Sequence, residues 1–305
     1  MKMCAGLTKR NLLVYFKDKQ SIVFSLLTSI IVFALYLLFL KGTFVDAIDG
    51  VLDGVTILKE RIDPSDIDTL VSMILLTGIV GSAMITVPFN CLTTVISDRE
   101  NGVDRDILAT PIKRWQIVLS YFMASSICAM IMNALILTIG LAALNISGDL
   151  HMGVADIASA YGVVALGCMS STAIFMIVVP FFKSASAGGA FFGMLSAISG
   201  FVIGAYIPIS QFSKKVQTVC NLFPGSHITI MLRNAVMNGV LSHIDEAIGG
   251  VDNGMFVDSI REIFTFKAML FDNSLGIESM LVYILSVLAV SILAMILLYS
   301  KKFSR

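Results

Sequence analysis

The sequence contains few charged residues for its length. Only 14% of its 305 residues are Asp, Glu, Lys or Arg, whereas 57% are hydrophobic. Soluble domains carry about 25% charged residues, so this composition excludes an ordinary soluble protein. Basic residues cluster only beside apolar runs and the net charge is zero, which gives no support for nucleic-acid binding. The chain is therefore predicted to lie in a lipid bilayer as an integral membrane protein.

Motifs for enzymatic and metal chemistry are also missing. There is no GxxxxGK[ST] loop to hold nucleotide phosphates and no GxSxG elbow for hydrolysis. His151, His227 and His243 are far apart in the sequence and lack ligand spacing, which indicates isolated surface histidines. The five cysteines form no CxxC pair, so a disulfide framework is not predicted. We expect that the chain is not an enzyme and holds no metal or other cofactor.

Long apolar runs predict an all-α integral membrane fold with six transmembrane helices, because about 20 apolar residues suffice to cross a bilayer. These helices form a single domain, residues 1–305, which begins with a basic amphipathic helix over residues 1–20. The predicted spans are residues 21–40, 69–96, 115–144, 154–182, 187–207 and 278–299.

The positive charges predict how the spans are oriented. More than half of the 21 Lys and Arg residues flank span ends that lie on one side, together with both termini. The positive-inside rule identifies this side as the cytoplasm. We therefore expect a multi-pass protein of a cell membrane, of bacterial origin, with both termini cytoplasmic.

The most informative stretch is the charged connector, residues 98–114, between the second and third spans. Each Arg or Asp placed in hydrocarbon costs about 2.5–3.5 kcal/mol, so this segment must lie in water. Ser97 and Glu100 have capping-box spacing, which predicts a helix of about three turns from Asp98. Thr110-Pro111 predicts the end of this helix and the start of the next. The connector is either a passive helix on the membrane surface or a lever that docks on a partner.

This connector resembles the signature of ABC-2-type transporter permeases. The matching residues are Asp98-Arg99-Glu100-Asn101-Gly102, then Ile107-Leu108-Ala109-Thr110-Pro111 and a following Arg114, with Val103 where the family usually has Thr or Ser. The resemblance implies a cytoplasmic coupling helix that seats in a groove of an ATPase subunit, with Val103 and Ile107 filling the groove. The residues implied in coupling are Asp98, Arg99, Glu100, Gly102, Val103, Ile107, Leu108, Thr110, Pro111 and Arg114.

The same resemblance implies partners and an energy source. A separate cytoplasmic ATPase subunit would bind ATP and Mg²⁺, and a second permease copy, identical or a close homologue, would complete an export path. The apolar spans favour an amphiphilic substrate such as a drug, a peptide or a lipid-like molecule. Two other classes stay open: a secondary transporter or channel, which usually needs charged residues inside its spans, and a membrane scaffold or sensor.

Residues 208–277 are predicted to form an extracellular segment after the fifth span. Pro208 ends that span, and residues 211–222 and 226–238 are predicted as two short helices that resemble a re-entrant pair. Residues 239–278 exceed the short forms of the family and indicate an insert. Within the spans, four positions are candidates for a substrate path, with helix packing as the alternative for each: Asn90, Asn133, Gly200 and Gly204.

Overall fold

The computed structural model describes residues 2–19, 22–23, 29, 32, 34, 36–52, 61–270 and 273–302. Nearly all of them are helical. The helices are α1 (Lys2–Lys17), α2 (Lys41–Leu52), α3 (Pro64–Glu100), α4 (Val103–Leu108), α5 (Arg114–Ser147), α6 (Val154–Val178), α7 (Ala185–Val202), α8 (Lys214–Leu222), α9 (Pro224–Ile248), α10 (Met255–Ile263) and α11 (Ile277–Lys302). A π-helix at Tyr36–Leu40 and 3-10 turns at Val179–Phe181 and Ile209–Gln211 complete the helical elements.

Five of the described helices are long and apolar enough to cross a bilayer: α3, α5, α6 with its 3-10 turn, α7 and α11. The all-α membrane class is therefore confirmed. Half of the first predicted span, residues 21–40, lies outside the described residues. One small departure is a β-hairpin of Ala268–Leu270 (β1) and Asn273–Leu275 (β2), antiparallel with Ala268 opposite Leu275.

Helix α3 is the centre of the bundle. It packs against α5, α6, α7 and α9, and its most apolar window is 89% buried. The corresponding windows of α7 and α11 are only 17% and 22% buried. Helices α7 and α11 therefore leave most of their apolar surface for lipid or for another protein.

An aromatic cluster joins three of these helices. The ring of Phe89 on α3 lies 5.5 Å from Phe175 of α6, 5.9 Å from Phe182 and 5.0 Å from Phe191 of α7, centroid to centroid. Aromatic pairs at such distances contribute about 0.5–1.5 kcal/mol each beyond the area that they bury. The cluster holds α6 and α7 against α3 in the half of the bundle nearer the charged connector.

The segment after the fifth span differs from its prediction. Residues 214–222 form the short helix α8, but the second piece is the 25-residue helix α9, which continues well beyond residue 238. Helix α9 lies buried between α3 and α6, and it is about twice as long as the short re-entrant-like helix that was predicted. Gly239 lies within this helix, at the point where the loop before α6 comes closest. A Cβ there would lie 1.9 Å from the carbonyl oxygen of His151, so the absence of a side chain allows the loop to pack against the helix. The predicted insert contains the end of α9, α10 and the hairpin.

The prediction of isolated surface histidines is wrong. The rings of His151 and His243 are stacked with centroids 3.8 Å apart, because the loop between α5 and α6 folds onto α9. His227 is fully buried, and its Nε2 lies 2.6 Å from the carbonyl oxygen of Asn221. The large sequence separation between His151 and His243 concealed their stacking.

Arg233 on α9 is a buried cation whose partners are backbone carbonyls. Its guanidinium donates to the carbonyl oxygens of Phe264 and Thr265, at the carboxyl end of α10. Burial lowers the pKa of Arg233 to about 10, so the group remains charged at neutral pH. A cation is favourable at this end of a helix, where the carbonyl dipoles point outward. Arg233 thus fixes α10 to the core helix α9.

We expect Arg233→Met to lower the free energy of unfolding by about 2 kcal/mol, because carbonyls that accept from a charged donor lose their partner. The matched control is Arg261→Met, which removes an exposed guanidinium from α10 itself. Thermal unfolding of the two purified variants in detergent measures the difference. Equal unfolding temperatures for the two variants would contradict the role given to Arg233.

Candidate functional site

The charged connector begins inside α3 rather than as a separate helix. Helix α3 continues through Asp98 and ends at Glu100, where the N–H of Asn101 donates to the carbonyl oxygen of Ser97 at 3.0 Å. Gly102 then adopts a left-handed conformation with φ of 77°, which glycine tolerates without steric cost. Helix α4 follows with only six residues. The predicted three-turn helix starting at Asp98 is therefore wrong, and so is the capping role of Ser97.

The carboxylate of Asp98 ties three helices together. Both terminal nitrogens of Arg10 on α1 donate to it, with Nη2 2.8 Å from Oδ1, and the hydroxyl of Tyr121 on α5 donates to Oδ2 at 2.7 Å. The side chain of Asp98 is only 9% exposed. Bidentate pairs of Arg and carboxylate are among the stronger polar contacts in proteins. Asp98 was expected to face an ATPase, but it faces its own bundle and fastens α1 to it.

Arg99 and Glu100 bind the turn between α6 and α7. Nη1 of Arg99 donates to the carbonyl oxygen of Pro180 at 2.5 Å, and the N–H of Ala185 donates to Oε2 of Glu100 at 2.8 Å. Ala185 is the first residue of α7, where a carboxylate is stabilised by the helix dipole. The end of α3 is thus bonded to α1, to α5 and to the start of α7.

Helix α4 turns its apolar side toward the bundle. Ile107 and Leu108 are half-buried and line a pocket of about 210 Å³ with Val95, Ile96 and Tyr299 among its walls. This differs from the prediction that Ile107 projects into a groove of a partner. Val103 is half-buried as well.

The opposite side of the connector is polar and exposed. The pattern of the sequence did not show that Arg105 and Asp106 would be the charged side chains of α4 that face solvent. In α4 as the structure shows it, the two side chains lie on the face away from Ile107 and Leu108, and this face is toward solvent. The exposed residues of the connector are Glu100, Asn101, Arg105, Asp106, Ala109, Thr110, Pro111, Lys113 and Arg114.

The two ends of the loop after α4 have local hydrogen bonds. The hydroxyl of Thr110 donates to the carbonyl oxygen of Ile107 at 2.6 Å, which closes the last turn of α4. The N–H of Lys113 donates to Oε1 of Gln116 at 3.2 Å, and α5 begins at Arg114. Pro111 therefore lies within the loop and does not start α5, contrary to the prediction, because Gln116 places the cap at Lys113.

The four candidate positions of a substrate path have separate surroundings. Asn133 is fully buried, and its Nδ2 donates to Ala129 of its own helix at 2.9 Å, whereas Asn90 is partly exposed on α3. A Cβ on Gly200 would lie 2.3 Å from the ring of Tyr206. Gly204 has a φ of 70° in the turn after α7. Packing explains both glycines, and a path through the four positions stays a prediction.

Comparison of the sequence with known proteins finds one matching family. A family model described as ABC-2 family transporter protein matches residues 55–300, which covers most of the chain and includes the whole connector. No curated protein matches the sequence significantly.

We expect Asp98→Asn to lower the free energy of unfolding by about 2 kcal/mol, since it removes the charge that Arg10 and Tyr121 contact. The partial exposure of Arg10 keeps the loss below that of a fully buried pair. Thermal unfolding and proteolysis of α1 measure the change, with the exposed Asp106→Asn as control. A double variant with Arg10→Gln should lose little more than Asp98→Asn alone, and fully additive losses would contradict the pairing.

Proposed function

Because the chain belongs to the ABC-2 family of transporter proteins, we propose that it is the permease subunit of an ATP-driven exporter. Membership of this family implies an ATP-binding-cassette partner in general. The chain contains no phosphate-binding loop of its own. In our proposal, a separate cytoplasmic ATPase subunit binds ATP and Mg²⁺ and hydrolyses the nucleotide, and this chain performs no catalysis.

The observation that carries the proposal is the way in which the charged connector is anchored. Its inner side is bonded to α1, α5 and the start of α7 through Asp98, Arg99 and Glu100. Its outer side presents charged groups to solvent. A force applied to α4 would therefore move several membrane helices together, because their ends share hydrogen bonds with the same turn of α3.

The docking surface in this proposal differs from the one that the sequence motif implies. Arg105 and Asp106 point outward from α4, and Lys113 and Arg114 extend the charged surface along the connector. Such groups would form charge-assisted hydrogen bonds with complementary groups on an ATPase. Asp98 is buried behind this surface and does not touch the partner, whereas Glu100 is exposed and accepts from the N–H of Ala185. A passive surface helix would not need so many bonds to the ends of other helices.

We expect Arg105→Glu to weaken binding of the ATPase subunit about tenfold, equal to about 1.4 kcal/mol, by placing like charge at a docking contact. Co-purification with candidate ATPase subunits and ATP hydrolysis in proteoliposomes measure the effect. Lys215→Glu is the matched control, because it reverses an exposed charge on α8, after the other end of α7.

Equal behaviour of the two variants would contradict docking at α4. Transport that proceeds without any nucleotide would instead support a secondary transporter or channel. The described helices α3, α5, α6, α7 and α11 carry no ionised residue in their middle parts, which favours an external energy source over ion coupling. Protein that neither transports nor recruits an ATPase would support a scaffold or sensor.

The exposed face of α7 supports a second permease copy in the assembly. Apart from the chain neighbours and the backbone of α7 itself, no heavy atom of the described residues lies within 4 Å of a Cβ built on Gly189 or Gly193. Met194 and Ile198 on the same helix are 52% and 48% exposed. Small residues four apart let two membrane helices approach closely, so we propose that α7 pairs with α7 of another copy. The path for an amphiphilic substrate would then lie between the two copies.

We expect Gly193→Cys to form a disulfide-linked dimer on mild oxidation in native membranes. The matched control is Leu293→Cys on α11, which is also apolar and exposed. Non-reducing electrophoresis measures the dimer fraction. The result contradicts pairing through α7 if Leu293→Cys cross-links as well as Gly193→Cys or if neither does.

A further inference from the structure

Three potential metal ligands meet at the end of the bundle away from the charged connector. Asp66 lies in the first turn of α3, His151 in the loop between α5 and α6, and His243 near the end of α9. These elements are far apart in sequence, and none of the transport contacts described above uses the three side chains. Their nitrogen and oxygen ligand atoms all lie within 4.8 Å of one another.

The distances between the histidine nitrogens and the carboxylate of Asp66 are longer than those of hydrogen bonds. Nε2 of His151 lies 3.7 Å from Oδ1 of Asp66, and Nε2 of His243 lies 3.7 Å from Oδ2 of the same carboxylate. Both distances are too long for a hydrogen bond. Metal–ligand bonds of about 2.0–2.1 Å in tetrahedral geometry place ligand atoms about 3.4 Å apart. The ligand atoms are thus near the required separation, and one imidazole must turn out of the stack with the other for all three to bind a single ion.

The backbone around His151 is held close to α9. A Cβ on Gly239 would lie 1.9 Å from the carbonyl oxygen of His151, so the loop contacts the helix directly, one turn before His243. A Cβ on Gly148 would lie 2.7 Å from the hydroxyl of Thr69 on α3. The loop is thus fitted between α3 and α9, which positions His151 without any ion.

Solvent can reach the cluster from one side. The side chain of Asp66 is 11% exposed and that of His151 is 24% exposed, whereas that of His243 is 44% exposed. The neighbouring Asp68 is bonded to Lys41 at 2.7 Å and does not compete for the histidines. The cluster therefore combines a nearly buried carboxylate with an imidazole that an ion can reach from solvent.

We propose that Asp66, His151 and His243 bind one divalent transition-metal cation of the zinc type. Two imidazole nitrogens and one carboxylate oxygen suit zinc and its neighbours, whereas magnesium and calcium prefer oxygen ligands alone. A water molecule would fill the fourth position. The ion would join the start of α3, the end of α9 and the loop between α5 and α6, so it would fasten the bundle at the end opposite the connector.

Isothermal titration of zinc into the purified, chelator-treated chain tests the proposal. The protein should carry an affinity tag without histidine, because a polyhistidine tag binds the same ions. We expect one zinc ion per chain, and an affinity at least about tenfold lower in His243→Ala and in Asp66→Asn. The control Asp68→Asn changes the adjacent carboxylate and should leave zinc binding unchanged.

Thermal unfolding with and without zinc provides a second measurement. Zinc should raise the unfolding temperature of the wild type and of Asp68→Asn, but not that of His243→Ala. His243 is partly exposed, so its replacement is expected to leave the fold intact. The proposal is overturned if the wild type shows no saturable binding, or if His243→Ala binds zinc as tightly as the wild type does.

Discussion

The structure depends on the requirement that a chain in hydrocarbon must satisfy its own backbone hydrogen bonds. Helix α3 meets this requirement over 37 residues, from Pro64 to Glu100, with Pro88 inside it. The long helices α5, α6, α7 and α9 pack around it, so the contacts of the bundle converge on one continuous element. Its two ends then carry the polar groups that matter outside the lipid, with Asp66 at one end and Asp98 to Glu100 at the other.

Apolar length was enough to predict the membrane class and the approximate position of most described spans. Helices α5 and α6 contain uninterrupted apolar runs, and such runs have few stable alternatives in a membrane. Helix α9 could not be recognised in this way, because it contains His227, Arg233 and Asn234. The partners of Arg233 and Asn234 are remote in sequence: Nδ2 of Asn234 donates to the carbonyl oxygen of Phe266 at 3.0 Å. The sequence indicated a short, re-entrant-like helix over residues 226–238, whereas the structure shows a longer helix whose polar side chains are bonded within the core.

For the charged connector, too, the sequence predicted where the segment lies but not how its side chains are arranged. Its charge density predicted where it lies, but not which side chains face outward. The local capping pattern at Ser97 and Glu100 was outweighed by two tertiary contacts, those of Asp98 with Arg10 and of Glu100 with Ala185. Both partners are more than 80 positions away in the chain, beyond the reach of any spacing rule. The motif therefore identified the segment, whereas the partners of its acids within the bundle could be seen only in the structure.

The continuity of α3 has a mechanical consequence for communication across the membrane. A helix of this length extends about 55 Å. It contains Pro88, a point at which a helix can bend, so the parts on either side of Pro88 move as a single rod only while the helix stays straight there. A tilt of about 5° around its midpoint would displace each end by about 2 Å, in opposite directions. The two membrane faces would then respond at the same moment, without a relay of side chains between them.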